Sequence, residues 1–181
     1  MPQVYIQISR PAGFAPGAND FYATTAWAYV SEFRGETEAL GGATIDTIAS
    51  AEPLAVTTDP GKGKRKTTGV VAFLPAGDAL DNFSFPVTSG DKLTLSCSST
   101  RGGSGLSQFK VDLIQGGTSL QSETETNLAD IAWYTSTSSK ASRPEVKIAA
   151  TGTATLQLSA GARSATNAGV YYFCAVILVS P

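Results

Sequence analysis

Apolar and polar residues alternate with a period of two along most of this chain. From Gln3 to Ser9, Val4, Ile6 and Ile8 share a face between Pro2 and Pro11, which predicts a short proline-limited strand at a sheet edge. Residues 11–20 (PAGFAPGAND) read as a loop, and Phe21–Phe33 has the Tyr, Thr, Trp and Val content of a strand, with a helix over Thr24–Glu32 as the second choice. Ala43–Ile48, Leu54–Thr57 and Val70–Leu74 follow as short strands. DNFSFPV alternates Phe83, Phe85 and Val87, and after a TSGD turn KLTLSCSS places Leu93, Leu95 and Cys97 on one face. FKVDLIQ does the same with Phe109, Val111 and Leu113. Residues 115–129 read as a polar connection, and Ile131 and Trp133 begin another strand. Val146 with Ile148, and Ala154 with Leu156 and Leu158, give two more. GVYYFCAVILV is apolar on both faces, the mark of a central strand covered on both sides.

About ten to twelve short strands with regular turn signals predict an all-β protein, an antiparallel β-sandwich of jelly-roll-like type. Residues 1–20 form a short N-terminal strand and loop, an arm. Residues 21–181 form the sandwich, whose pattern is sharpest over 78–181.

Composition narrows the function. Charged residues are 15% of the 181 and the net charge is −2, while Thr (21) and Ser (19) carry much of the polarity, which excludes a coiled coil and a charge-driven disordered chain. Histidine is absent. That removes Ser-His-Asp and Cys-His catalysis, and two isolated cysteines cannot build a four-ligand zinc site. No apolar run is long enough to cross a membrane, and MPQVYIQISRPAGF lacks the basic start and apolar stretch of a signal peptide. The expectation is a chain made in the cytoplasm with no membrane association, no cofactor, no metal and no catalytic residue.

Several groups invite a sharper reading. Lys62, Lys64, Arg65 and Lys66 make a basic cluster in GKGKRKTTG, a solvated hairpin tip or a contact for an acidic protein surface. Its Gly-Lys-Arg order fails the P-loop pattern, and one basic loop on an acidic protein makes nucleic acid a poor partner. Val4, Ile6 and Ile8 pair within their own sandwich or, by exchange, with a neighbour's sheet edge. Trp27, Tyr29, Trp133 and Tyr134 are either core or a sugar-stacking platform. Asp78, Asp81, Asp91 and Asp112 stand singly beside turns, where turn chemistry or calcium binding would use them. Cys97 and Cys174 are either two small buried apolar residues or a disulfide.

SGDKLTLSC, Trp133-Tyr134 and NAGVYYFC together resemble an immunoglobulin variable domain. Against this, Trp133 lies 36 residues after Cys97, Gly169 is out of phase with Cys174, and no strand follows the last one. DNFSFPVTSGDKLTLSCSS, FKVDLIQGGTSL and NAGVYYFCAVILV resemble the jelly-roll sandwiches of accessory modules, namely carbohydrate-binding modules and pre-peptidase C-terminal domains, over residues 78–181. In size and in its Ser, Thr, Gly and Ala content the chain also resembles bacteriophage capsid decoration and fibre proteins. That resemblance implies a non-enzymatic virion protein, a major capsid or other virion protein as partner, and a homo-oligomer such as a trimer. The alternatives are a carbohydrate-binding adhesive module and an immunoglobulin-like recognition domain.

Overall fold

The computed structural model describes residues 33–38, 42–59, 63–75, 77–99, 104–125, 131–133, 146–163 and 170–181. These carry fourteen strands: β1 (Phe33–Gly35), β2 (Glu52–Pro53), β3 (Thr57–Thr58), β4 (Arg65–Phe73), β5 (Leu80–Val87), β6 (Lys92–Ser98), β7 (Leu106–Ser107), β8 (Lys110–Gln115), β9 (Thr118–Thr124), β10 (Ile131–Trp133), β11 (Val146–Lys147), β12 (Gly152–Ser159), β13 (Ala162–Arg163) and β14 (Tyr171–Val179).

Two sheets face each other. The first runs β1-β4-β14-β6-β10, with β3 also on β4 and β11 also on β6; the second runs β2-β5-β12-β8-β9, and β13 pairs with β7 separately. The eight principal strands in chain order are β4, β5, β6, β8, β9, β10, β12 and β14. The first, eighth, third and sixth form one sheet, and the second, seventh, fourth and fifth form the other. This is jelly-roll order. The main ladders are antiparallel, while the short edge strands β1 and β2 run parallel to β4 and β5.

Alternation explains which side of each strand is buried. Leu93, Leu95 and Cys97 of β6 and Tyr172, Cys174, Val176 and Leu178 of β14 fill the core from one sheet. Phe83, Phe85 and Val87 of β5, Val111 and Leu113 of β8, and Ala154, Leu156 and Leu158 of β12 fill it from the other. Pro86 fits inside β5 for a directional reason. It shares the orientation of Ser84, whose carbonyl accepts from Leu54 N at 2.8 Å, so its missing N–H falls where β2 has already ended.

Four expectations change. Residues 115–129 are not merely a connection, because β9 pairs with β8 from Lys110–Thr124 to Gln115–Thr118. Gly116 (φ 56°) and Gly117 (φ 79°) supply the two left-handed positions that a tight hairpin turn of matching twist requires. Ala43–Ile48 is not a strand: it is irregular chain leading into a 3-10 turn at Ile48–Ser50. The strand expected at Leu54–Thr57 is replaced by β2 and β3 on either side of it. β4 begins at Arg65, so the end of the basic run lies inside a strand.

Cys97 and Cys174 are bonded, with Cα atoms 4.1 Å apart. They are directly opposite residues of neighbouring strands in one sheet. An immunoglobulin bridge joins the two sheets instead, so the immunoglobulin reading fails on geometry. The bond closes a loop of 77 residues. Chain entropy alone gives such a closure about 4 kcal/mol of stabilisation. The Cys97→Ala/Cys174→Ala variant is therefore expected to lose about 2–4 kcal/mol in urea unfolding. The unreduced, denatured wild type is expected to show no free thiol. One thiol per cysteine in that assay would refute the bond.

Candidate functional site

The N-terminal side of the sandwich gathers carboxylates around its core. After β1 the chain crosses from the β4 edge to the β5 edge, and this strap is organised by acidic side chains. Phe73 N donates to Glu36 Oε1 at 3.2 Å, Ile45 N to Glu38 Oε2 at 2.8 Å, and Thr37 N and Oγ1 to Glu52 Oε2 at 2.9 and 3.0 Å. Asn82 Nδ2 holds Ile45 O at 2.7 Å, and Asn82 Oδ1 accepts from Gln157 Nε2 at 2.9 Å. Ile45 and Leu54 are the strap's buried apolar anchors.

Below the strap, Asp81 of β5 points into the core. Its Oδ2 accepts from Tyr172 Oη at 2.6 Å, which ties β5 of one sheet to β14 of the other. The Tyr172 ring stacks on Phe109 with centroids 6.1 Å apart. Asp81 is 0% exposed and Glu36 3%, yet Asp81 Oδ1 and Glu36 Oε2 have no hydrogen-bond partner. Burial pushes Asp81 up to about 8, against the Tyr172 hydrogen bond, with the negative fields of Glu36, Asp78 and Glu38 adding to the rise. Burial likewise pushes Glu36 up to about 7, opposed by the Phe73 amide and reinforced by Asp78, Glu38 and Glu52. Burial also raises the Tyr172 phenol, which therefore remains the donor in its bond to Asp81.

A second feature lies on the opposite face of the first sheet. Tyr171, Phe173, Ala175, Ile177 and Val179 of β14 alternate with the core residues and are half-buried. Phe73, opposite Tyr171 in the β4 register, is 44% exposed, and the two rings meet edge-on at 6.3 Å and 62°. On the β6 side the column is lined by Thr94, Ser96 and Ser98. Outward of β14 the apolar character of GVYYFCAVILV thus meets partial cover rather than a second core.

The residues singled out from sequence are dispersed. Val4, Ile6, Ile8, Lys62, Trp27, Tyr29 and Tyr134 lie outside the described residues. Lys64 is exposed at a turn, where its Nζ donates to Pro181 O. Arg65 and Lys66 are half-buried and, as successive residues of β4, point to opposite faces, so these two charges do not add to one patch. Trp133 is fully buried with Nε1 on Glu123 Oε2 at 2.8 Å, which removes it from any sugar platform. Phe73 and Tyr171 offer no replacement, since rings at 62° do not form a flat stacking surface. Asp91 is buried and caps a turn through Thr88 N at 2.8 Å, and Asp112 pairs with Lys110 at 2.7 Å. Among the described residues no group of acidic or sulfur ligands has the arrangement of a metal site. Glu36 and Tyr172 were missed by the sequence reading. The available signal was a tyrosine on the inward parity of a core strand, whose hydroxyl requires a buried partner.

No family model matches the chain, and no curated protein matches it. Among solved structures it is similar to the pre-peptidase C-terminal domain of a Bacillus anthracis collagenase, at 15% identity and TM-score 0.40, over 61% of this chain and 88% of that one. It is similar also to PliG of Salmonella Typhimurium, a periplasmic inhibitor of g-type lysozyme, at 13% identity and TM-score 0.36, over 71% and 97%. A mutant of the Escherichia coli PliG matches at 12% identity and TM-score 0.37, over 71% and 98%. These likenesses concern the β-sandwich fold alone.

The raised carboxyls fix the sign of a pH effect. The folded chain holds these protons more tightly than the unfolded one, so their contribution is complete below about pH 4 and is lost as pH rises through about 8. Urea unfolding of wild type and Asp81→Asn from pH 5 to 9 isolates the Asp81 part. The stability of wild type relative to the variant is expected to fall steadily with pH. A difference that stays constant would mean that Asp81 titrates in the ordinary carboxylate range.

Proposed function

We propose that this chain is a non-enzymatic structural protein that acts through protein–protein contact, and that its place is in an assembly of the virion-accessory kind, as a capsid decoration or cement protein. The observation that carries the contact reading is the outward face of β14, where five consecutive outward positions from Tyr171 to Val179 are apolar and half-buried, extended by Phe73 on β4. A sheet face exposed only to water favours polar residues at alternate positions. An apolar column on the second face supports a role in which that face is packed. The virion assignment rests on the likeness in size and Ser, Thr, Gly and Ala content described above. The low charge suits it, since interface cores are depleted of charged residues.

Light scattering at two concentrations, with and without Phe73→Ser, tests the contact reading. A closed oligomer is expected. Because an aromatic anchor in an interface carries roughly 2 kcal/mol, the substitution is expected to weaken association about 30-fold. Circular dichroism is expected to be unchanged. A monomer at both concentrations that also fails to bind purified capsids would overturn the proposal.

A further inference from the structure

We propose that Arg65, Lys92 and Lys147 form a basic row across the end of the first sheet, and that this row docks a carboxylate-bearing segment of a partner protein. The registers place them together. Arg65 of β4 is opposite Val179 of β14, Val179 is opposite Lys92 of β6, and Lys92 is opposite Lys147 of β11. Residues directly opposite each other in neighbouring strands project from the same face. That face is the outward one, because the next residues along these strands, Leu178, Leu93 and Val146, are buried in the core. With strands about 4.8 Å apart, the row spans roughly 14 Å, with Val179 inside it. In sequence Arg65 stands with Lys64 and Lys66. In the sheet Lys66 takes the opposite parity, and Arg65 is joined by two lysines from distant parts of the chain.

Two features of the row call for an anion. Arg65 is half-buried, and its Nε is shielded from water without a hydrogen-bond partner. A guanidinium so placed matches the planar, two-oxygen geometry of a carboxylate. Lys92 and Lys147 face each other directly, and like charges across a ladder repel, which an anion seated beside both relieves. Both lysines also have interactions within the chain; an ammonium carries three donors and can serve a further acceptor. Asp59, whose backbone N donates to Arg65 O at 2.8 Å, closes the row on the β3 side with a negative charge, so its open direction runs toward Lys147, which is exposed.

The charge pattern favours protein over nucleic acid. The net charge of −2 repels a polyanion as a whole, and a phosphate-binding face spreads its positive charge over a wide area. Val179 within the row suits an apolar contact set between carboxylates, as a folded acidic segment provides. The row lies at the Val179 end of β14, about 27 Å along the strand from Tyr171 and Phe73, so this contact is separate from the one at Phe73.

Fluorescence anisotropy of a labelled hexaglutamate peptide titrated with the full chain at low salt is the test. The wild type is expected to bind hexaglutamate and not hexaglutamine. Arg65→Gln and Lys92→Gln/Lys147→Gln are each expected to weaken binding about tenfold, while Lys110→Gln, on the second sheet, leaves it unchanged. No binding by the wild type, an equal loss with Lys110→Gln, or tighter binding of an oligothymidylate than of hexaglutamate would overturn the proposal. Any of these would leave the Phe73 contact standing, since light scattering reads that one independently. Should a row variant fail to fold, amide shifts of the wild type decide. Hexaglutamate is expected to move the amides of Arg65, Lys92, Lys147 and Val179 most, and largest shifts elsewhere would refute the row.

Discussion

The fold depends on bringing its last strand into the middle of its first sheet. β14 lies between β4 and β6, paired with β4 from Tyr171–Phe73 to Val179–Arg65 and with β6 from Phe173–Ser98 to Val179–Lys92. Until that strand arrives, β4 and β6 face each other across a gap with unmet backbone groups, which is costly wherever water is excluded. Pairing of this kind is non-local, and loop closure must precede the contacts that offset it. Three devices then secure the strand. Its inward residues complete the core, Cys174 bonds to Cys97 directly across the ladder, and Tyr172 reaches the opposite sheet through Asp81. Each works only in one register, because a slip by one residue would turn Tyr172 and Cys174 outward.

That register explains why acidic groups are found in the core. A buried phenol needs an acceptor, and Asp81 supplies it from the facing sheet. The cost is a desolvated carboxyl, which the fold reduces by keeping it protonated. Glu36 repeats the arrangement one layer out, taking Phe73 N at the end of β4, where the parallel strand β1 has run out. The same interactions that orient the last strand therefore leave two buried carboxyls with raised proton affinity.

Much of the architecture was legible in sequence, because one-sided burial writes itself as alternation: Phe83, Phe85 and Val87, or Leu93, Leu95 and Cys97, could hardly be read otherwise. β9 was not legible, since an edge strand with one polar face and one half-covered face (TSLQSET) has composition like a loop, and only Gly116-Gly117 marked the hairpin. The start of β4 was hidden because Arg65 and Lys66 tolerate partial burial on long stems. Ala43–Ile48 misled in the other direction: its apolar residues anchor a strap rather than a ladder, and Ile45 N turns to a carboxylate instead of a neighbouring strand. The disulfide and the buried carboxyls are spatial facts. Cys97 and Cys174 are 77 residues apart, and the burial of Glu36 and Asp81, with the charge of one acting on the other, follows from tertiary packing that no local pattern records.

The acidic side chains bear on function by what they already do. Glu38 and Glu52 order the strap, Asp78 and Asp91 receive turn amides, Glu123 takes the Trp133 indole and Glu125 the Ser99 hydroxyl. Among the described residues these carboxylates thus join segments that the ladders do not reach. The outward face of β14 is apolar and half-buried, apart from the core that its inward residues complete. Beside it, Gly69 and Thr67 of β4 and Ser98 of β6 lie opposite Ala175, Ile177 and Phe173, share their outward parity and are buried, so the middle of that face is already covered and its exposure is greatest at Phe73.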